Sequence, residues 1–442
     1  MLLIQYKHVP KKPTFNRFFG HRLSVHVGLL FAIYIAVSTP VYAVDYLEKS
    51  LSMQEAISRS LSLHPELASI GYRIKSAEGD IKYAAVGQKP ELSLAVEDAL
   101  GTGDYSGLDN AQSTLSIGWI LDEGLSGSRV GKYQVRKTLI EIERDIKRFD
   151  IAAQTAHQFS TVLALQENLS IAKRAQQHTK VILFDIVKRV KAGKAPVADQ
   201  LRAEVDQERR ELEVEDITHE LLSAKKILVS KWGETDIDFI SAVGSLDTSR
   251  ALVDFAELEK SIKTTPKMRY FLTQQRLVDS EIILAKEEAK NRLRFDAGIR
   301  RYEREEDYSL TFGVSLPIGK PSRNQGKISA LTADKDSYQA DANATKTQLL
   351  TKIFVLYEEL KHGHHIIESI ENKIMPRLER ALKETQKAYQ IGKYSYQEWS
   401  VVQQEVLDTQ LALVDARLKA HNNMVELERL TGLSLLSRKV AQ

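Results

Sequence analysis

Two carboxylates lie at equivalent distances from two glycines. Asp199 follows Gly193 by six residues, and Glu398 follows Gly392 by six residues. Rings of acidic side chains favour cations and resist close approach unless they are paired or hydrated. The spacing therefore indicates a cation gate built from Asp199 and Glu398, provided that several chains bring them together. The alternative is that both are solvated carboxylates at helix starts, where they stabilise the helix dipole.

A short histidine cluster is the other group that suits metal chemistry. His362 and His365 lie three residues apart, and Glu358 precedes His362 by four, so the three would share a helix face. His364 lies between them, but the intervening glycine weakens a helix there. His362, His364 and His365 are thus a candidate metal site, although we favour an exposed polar patch.

The sequence contains no convincing enzyme motif. The glycine-rich segment 101–107 resembles a phosphate-binding loop, but a predicted strand follows it instead of a helix. No His-Glu-x-x-His or Gly-x-Ser-x-Gly motif occurs, and the chain has no cysteine. Thiol catalysis, disulfides and thiolate metal sites are therefore excluded. We expect no enzymatic activity and no cofactor.

The segments that carry these residues occur twice. The sequence around Gly193 is repeated around Gly392, and Gly233 corresponds to Gly432, so both glycine pairs are 199 residues apart. A period this long indicates a duplicated half-protein and not a solenoid. We predict a first structural repeat over 44–240 and a second over 241–442.

Each repeat contains long stretches without helix breakers. The 61 residues between Gly131 and Gly193 include neither glycine nor proline, and one helix of that length would span about 90 Å. Apolar residues between 407 and 418 recur at alternating steps of four and three, as in packed helices. Gly193 and Gly392 lie where one long helix would end and the next begin. We therefore predict a long helical hairpin in each repeat, turning near residues 193 and 392.

Residues 1–43 have the pattern of a secretory signal peptide. Five basic residues and no acidic residue accompany an apolar run of 11 residues, Val27–Val37, and Val41 and Ala43 fit a cleavage site. The run is shorter than the roughly 20 residues of a spanning helix, and no apolar stretch of 18 or more residues follows it, so we expect no transmembrane helix. Without this segment the chain has 57 basic and 59 acidic residues, so we predict no nucleic-acid binding.

Two segments in each repeat alternate between apolar and polar residues. The predicted strands cover about 90–99, 113–122, 291–301 and 308–318. One apolar face and one small or charged face are typical of membrane strands with a wet lumen. The alternative is an amphipathic hairpin on a soluble core. The predicted lipid-facing residues are Leu92, Leu94, Val96, Leu115, Ile117, Trp119, Leu293, Phe295, Ile299, Leu310, Phe312 and Val314.

Four strands cannot close a barrel, and lipid does not tolerate open sheet edges. Several chains must then share one barrel. Two chains would supply 8 strands and three would supply 12.

With these features together, the chain resembles the TolC family of outer-membrane efflux channels over nearly its whole mature length. The resemblance rests on the duplication, on the order helix, two strands, long hairpin, and on the segments MPRLERALKETQKAYQIGKYSYQEW and ERLTG. It implies a mainly α fold with a β-barrel part. Three chains would form a 12-stranded barrel in the outer membrane of a Gram-negative bacterium, above a long periplasmic α-barrel tunnel.

Within that family, the segment PELSLAVEDALGTGDYSGLDNAQSTLSIGWILDEG is similar to the CzcC-type branch, which serves heavy-metal efflux. The resemblance implies passive export of heavy-metal cations from periplasm to exterior. The partners would be a periplasmic adaptor, an inner-membrane RND (resistance–nodulation–division) transporter and outer-membrane lipid. It further implies a periplasmic gate near Asp199 and Glu398, and an adaptor-docking tip at Gly193 and Gly392.

Two alternatives remain open from the sequence. The channel could carry drugs or a protein of type I secretion. A protein of another class, a soluble periplasmic coiled-coil adaptor, would share the signal peptide and a hairpin.

Overall fold

The structure is a computed structural model that describes residues 50–122, 124–247, 254–318 and 322–433. The predicted signal peptide lies outside these ranges. The first half runs through strand β1, helices α1 and α2, strands β2 and β3, and helices α3 and α4. Their bounds are Ser50–Ser52, Met53–Leu63, Pro65–Ala85, Glu91–Glu97, Gln112–Ile120, Leu125–Lys191 and Val197–Ser230.

The second half repeats this order. It comprises β4, α5, α6, β5, β6, α7, a π-helical segment, α8 and α9. Their bounds are Ser241–Val243, Phe255–Ser261, Pro266–Glu288, Arg294–Tyr302, Asp307–Ser315, Ser322–Ser369, Ile370–Ile374, Met375–Gln390 and Tyr396–Thr431. Short 3-10 turns cover Gly103–Tyr105 and Ile262–Thr264. The predicted fold class, two long hairpins plus four strands, is confirmed; the repeat boundaries remain a prediction.

The helix starts show why the two halves fold alike. His64 precedes α2, and its Nδ1 accepts a hydrogen bond from the backbone N–H of Glu66 at 3.2 Å. Thr265 precedes α6, and its hydroxyl accepts from the N–H of Met268 at 3.4 Å. A proline follows each cap, where its fixed φ suits the first helical turn.

The first long helix is continuous, whereas the second is interrupted. Helix α3 has 67 residues and is about 100 Å long. Its counterpart passes from α7 through the π-helical segment into α8, immediately before Pro376. Proline has no N–H to donate within a helix, and a π-segment absorbs the resulting shift in register. Arg417 of α9 donates to Glu371 of this segment at 2.6 Å.

Strands β2, β3, β5 and β6 form one antiparallel sheet in that order. Leu115 lies opposite Leu94 on β2 and Ile299 on β5, and Ile299 lies opposite Leu310 on β6. The two repeats are therefore joined in one sheet through β3 and β5. Strands β2 and β6 are its free edges.

The helical body is held by apolar clusters and a partly buried ion network. The largest cluster packs Phe159, Leu228 and Trp232 around strands β1 and β4. Near the end of α9, Glu426 accepts from Arg429 and from Lys352, both at 2.6 Å. Burial opposes ionisation of Glu426, but these hydrogen bonds outweigh it and lower its pKa to about 2.

None of the helices in the described part of the chain combines the length and the apolar composition that a bilayer-spanning helix needs.

Candidate functional site

Both predicted hairpin turns are built on a glycine with left-handed backbone. Gly193 has φ of +68° and Gly392 has φ of +76°. After each glycine, a lysine N–H bonds back across the turn, from Lys194 to Arg189 at 2.8 Å and from Lys393 to Ala388 at 2.9 Å. These bonds cap the helix ends in the Schellman pattern. A Cβ at either glycine would meet nothing within 4 Å, so backbone conformation alone selects glycine.

The two carboxylates after the turns lie in different surroundings. Glu398 is exposed, and it accepts from the N–H of Ser395 at 2.7 Å in a capping box at the start of α9. The backbone and side-chain hydrogen bonds of Ser395 lower the pKa of Glu398. Asp199 is only 8% exposed, and Pro196 occupies the capping position before α4. Asp199 and Glu398 therefore have different surroundings in the single chain, although they occupy equivalent positions in the two repeats.

An aromatic cluster joins the two hairpins beside these turns. It consists of Tyr389, Tyr396 and Trp399, all buried. The rings of Tyr389 and Trp399 stack with centroids 5.1 Å apart, and Tyr396 packs edge-on against both. The Tyr396 hydroxyl donates to Asp206 of α4 at 2.9 Å, and Arg189 of α3 lies 4.7 Å from the Tyr389 ring. We call these residues and the two turns the tip.

The tip also contains buried donors that the packing leaves without protein partners. Among the described residues, the Tyr389 hydroxyl and the Trp399 ring N–H have no hydrogen-bond partner. Burial raises the pKa of Tyr389, and the nearby Asp199 carboxylate raises it further against the effect of Arg189. The sequence analysis missed this cluster. The sequence does contain a sign of it, because these aromatic residues occur only in the second repeat and the corresponding positions 190, 197 and 200 of the first repeat are not aromatic.

The histidine cluster lies on α7, away from the tip. His362 and His365 are exposed, and His364 is partly buried. Burial lowers the pKa of His364, although the Asp247 carboxylate acts in the opposite direction. In the described ranges, no three His, Asp or Glu side chains converge as metal ligands would.

The sheet has one continuous apolar face. Because the register aligns the alternating residues, Leu92, Ile117, Ala297 and Phe312 form one row across all four strands. Leu92 and Phe312 are highly exposed, at 75% and 80%, and Ile117 is exposed at 45%. Of the predicted lipid-facing residues, Leu293 lies one residue before β5 and the others lie within the strands.

The opposite face of the sheet, which we call the polar face, contains ion pairs. Arg294 contacts Glu91 at 2.8 Å and Asp296 at 3.1 Å. Arg300 donates to Glu97 at 2.9 Å. At the end of the sheet that bears the β2–β3 and β5–β6 connections, a cavity of about 520 Å³ opens. Its acidic lining residues are Asp98, Asp104, Glu305 and Asp307.

Comparison with known proteins identifies the family. The chain matches the outer membrane efflux protein family over residues 56–234 and 282–433, and it therefore belongs to that family. It is 24% identical over 371 residues to the cobalt-zinc-cadmium resistance protein CzcC of Cupriavidus metallidurans, covering 84% of this chain and 85% of that one. The predicted resemblance to this family and to its CzcC-like branch is confirmed.

Solved structures share the fold. CusC, described in terms of transmembrane channel formation, matches with a TM-score of 0.71 at 14% identity, over 86% of this chain and 92% of that chain. The outer membrane protein VceC of Vibrio cholerae matches with a TM-score of 0.69 at 17% identity, over 86% and 96%. The chain is thus an outer-membrane transport protein and not an enzyme, and the soluble-adaptor alternative is wrong.

Proposed function

We propose that this member of the outer membrane efflux protein family is the exit channel of a tripartite system that passively exports heavy-metal cations to the exterior. Three copies would contribute four strands each to a 12-stranded barrel and two hairpins each to a periplasmic tunnel. The observation that carries the channel assignment is the continuous, exposed apolar face of a four-stranded sheet with two free edges.

The dimensions of the apolar face suit a bilayer. Its rows run from Trp119 and Phe295 at the helical end to Ser113 and Tyr308 at the loop end. Six residues of antiparallel strand separate these rows, which is about 20 Å. Membrane barrels have an apolar band of about 25 Å between two aromatic girdles. Trp119 and Phe295, stacked at 5.9 Å, fit one girdle, and Tyr308 fits the other.

The free edges explain why three copies are needed. Every residue of β2 is exposed, and neither β2 nor β6 has a second neighbour in the described part of the chain. Unpaired backbone groups are not tolerated in lipid, so β2 of one copy must pair with β6 of the next. Twelve strands also leave more lumen than an eight-stranded barrel, whose interior side chains fill it.

The cargo assignment rests on the similarity to CzcC over most of both chains. By that similarity, the channel would receive divalent cations from an inner-membrane RND transporter through a periplasmic adaptor. No energy source is required of the channel itself, since it supplies a path only.

The tip supplies a candidate gate and docking surface. Asp199 and Glu398 from three copies would place six carboxylates around the periplasmic opening. The exposed turns at Gly193 and Gly392 would receive the adaptor. Opening would hydrate the Tyr389 hydroxyl and the Trp399 N–H, which are buried without protein partners. Each such buried group costs about 1–3 kcal/mol, which lowers the cost of separating the hairpins.

The metal assignment is tested in a strain from which the gene for this chain is deleted, and which is complemented with the wild-type gene or with an empty vector. We expect sensitivity to zinc, cadmium or cobalt that the wild-type gene removes, with tolerance of dyes and antibiotics unchanged. Sensitivity to drugs with metals unaffected would contradict the metal assignment and leave the channel assignment in place. Failure of a trimer to reach the outer membrane would contradict both.

A further inference from the structure

Two arginines on the polar face of the sheet are held by hydrogen bonds and ion pairs to residues of the strands. Arg300 donates to Thr114 and Glu97, each at 2.9 Å, and to Gln112 at 3.1 Å. These three partners come from β2 and β3, so one guanidinium crosses three strands. Gln112 in turn donates to Asp98 at 2.8 Å, which extends the network to the loop cavity.

The second arginine is fastened nearer the helical end. Arg294 contacts Glu91 of β2 and Asp296 of its own strand. Gly118 of β3 lies beneath this pair, and a Cβ there would lie 2.8 Å from Arg294 Nη2 and closer still to Asp296. The absence of a side chain at Gly118 therefore makes room for the ion pair to lie against the sheet.

The charges on this face do not cancel. The strand residues that share it include four carboxylates, on Glu91, Glu97, Asp296 and Asp307, and two guanidiniums. Both guanidiniums are paired, so the uncompensated charge is negative. The cavity at the loop end adds three carboxylates, on Asp98, Asp104 and Glu305, and one guanidinium, on Arg304. Rings of charged side chains set the sign of ion that a pore prefers.

We propose that the carboxylates of the polar face make the barrel lumen cation-selective because they outnumber the two arginines that they hold in ion pairs. This inference rests on the proposed function, which places the polar face inside a trimeric barrel. Held by Glu91 and Glu97, the guanidiniums stay at the wall and leave a net negative lumen for hydrated cations. Without Glu91 and Glu97, each copy would keep two carboxylates and two guanidiniums on this face, so the charges of the strands would cancel and the preference for cations would fall.

The inference is tested with the purified full-length trimer in planar bilayers under a potassium chloride gradient. The reversal potential gives the cation-to-anion permeability ratio. Measurements use about 0.05 M salt, because the screening length is only about 10 Å at 0.1 M. All variants carry D199N and E398Q, so that carboxylates at the tip do not dominate the ratio.

We expect Glu97→Gln combined with Glu91→Gln to lower the cation-to-anion permeability ratio at least fivefold, because the charges of the polar face would then cancel. Arg300→Gln should raise the ratio instead. The control is Glu303→Gln, which removes one carboxylate from an ion pair with Arg301, whose side chain lies on the apolar face. It should leave the ratio unchanged.

The outcomes separate this inference from the function on which it rests. Conducting channels whose ratio is the same in the Glu91/Glu97, Arg300 and Glu303 variants would overturn the selectivity role while leaving an outer-membrane channel. Should the glutamate variant fail to insert, the Arg300 variant still decides, since an unchanged or lowered ratio contradicts the inference. If the parent trimer inserts no channels at all, both proposals fail.

Discussion

A matched pair of arginine substitutions on β2 tests which face of the sheet meets lipid. Leu94 and Ser93 are neighbours on the same edge strand, and both are exposed in the single chain. Their side chains point to opposite faces because strand residues alternate. Leu94→Arg and Ser93→Arg therefore add the same charge at the same height, one on the apolar face and one on the polar face.

The expected penalty follows from depth. Leu94 lies in the row with Leu115, Ile299 and Leu310, near the middle of the apolar band. An arginine on the lipid face near the bilayer midplane costs about 2–4 kcal/mol. Three copies would then lose about 6–12 kcal/mol per trimer, which is comparable to the whole stability of a typical domain. Ser93→Arg would face the wet lumen and avoid this cost.

The assay is the amount of folded trimer in the outer-membrane fraction at matched expression, measured by native electrophoresis. We expect trimer to be nearly absent for Leu94→Arg and close to the wild-type amount for Ser93→Arg. Equal losses for the two variants would refute the assignment of the faces. Loss for Ser93→Arg alone would show that the lumen and lipid faces have been exchanged.

Three further variants test the tip, the helical body and the π-helical segment. Asparagine adopts the left-handed conformation of Gly392 readily, so we expect Gly392→Asn to leave the melting temperature unchanged but to weaken adaptor binding at least tenfold by calorimetry. The control Gly326→Asn lies on open helix surface, and asparagine is a better helix former than glycine, so it should leave adaptor binding unchanged and should not lower the melting temperature. The pKa of Glu426 is lowered to about 2, so its ionised form contributes up to about 3 kcal/mol to the free energy of unfolding above pH 4.5, and this contribution is lost as the pH falls towards 2. In thermal melts, Glu426→Gln should remove this acid-dependent loss of stability, while Glu358→Gln should retain it. Pro376→Ala restores a helical N–H and should favour a continuous helix, seen as slower adaptor-dependent opening in bilayers; unchanged opening would contradict a hinge at this point.

Much of the fold is predictable because long-period and short-period patterns are both strong. The stretch between Gly131 and Gly193 lacks glycine and proline and is rich in strong helix formers, which together predict a long helix. The alternation in the four strands follows from the need to present one apolar face. Gly193 and Gly392 are readable as turns because a left-handed residue after a helix is most often glycine.

The surroundings of the two tip carboxylates could be predicted only in part from the sequence. Ser395 and Glu398 form the Ser-x-x-Glu capping pattern, which predicts that the Glu398 carboxylate accepts a hydrogen bond from the backbone N–H at the start of the helix. The first repeat has Pro196 in place of Ser395, so Asp199 has no such partner and packs near Tyr389. That packing depends on contacts between the hairpins and cannot be derived from spacing alone.

The ion pairs of the polar face were also beyond sequence patterns. Arg300 and Glu97 are 203 residues apart and meet only because β3 pairs with β5. Alternation predicts that both residues lie on the polar side of their strands, but it does not specify the register between the repeats. The register decides which arginine reaches which glutamate, and therefore whether the charges of the polar face are paired.

The differences between the two repeats indicate which hairpin moves. The first hairpin contains an uninterrupted α3, and in the second the same path is broken by a π-helical segment before Pro376. The aromatic rings that hold the tip together, Tyr389, Tyr396 and Trp399, also belong only to the second hairpin. A register break that ends 15 residues before Tyr389, whose hydroxyl has no protein partner, lets the lower part of α8 swing while α3 stays fixed. Duplication supplied two equivalent hairpins, and divergence in the second one supplied both a hinge and a releasable contact; we therefore expect the second hairpin to move when the tip opens.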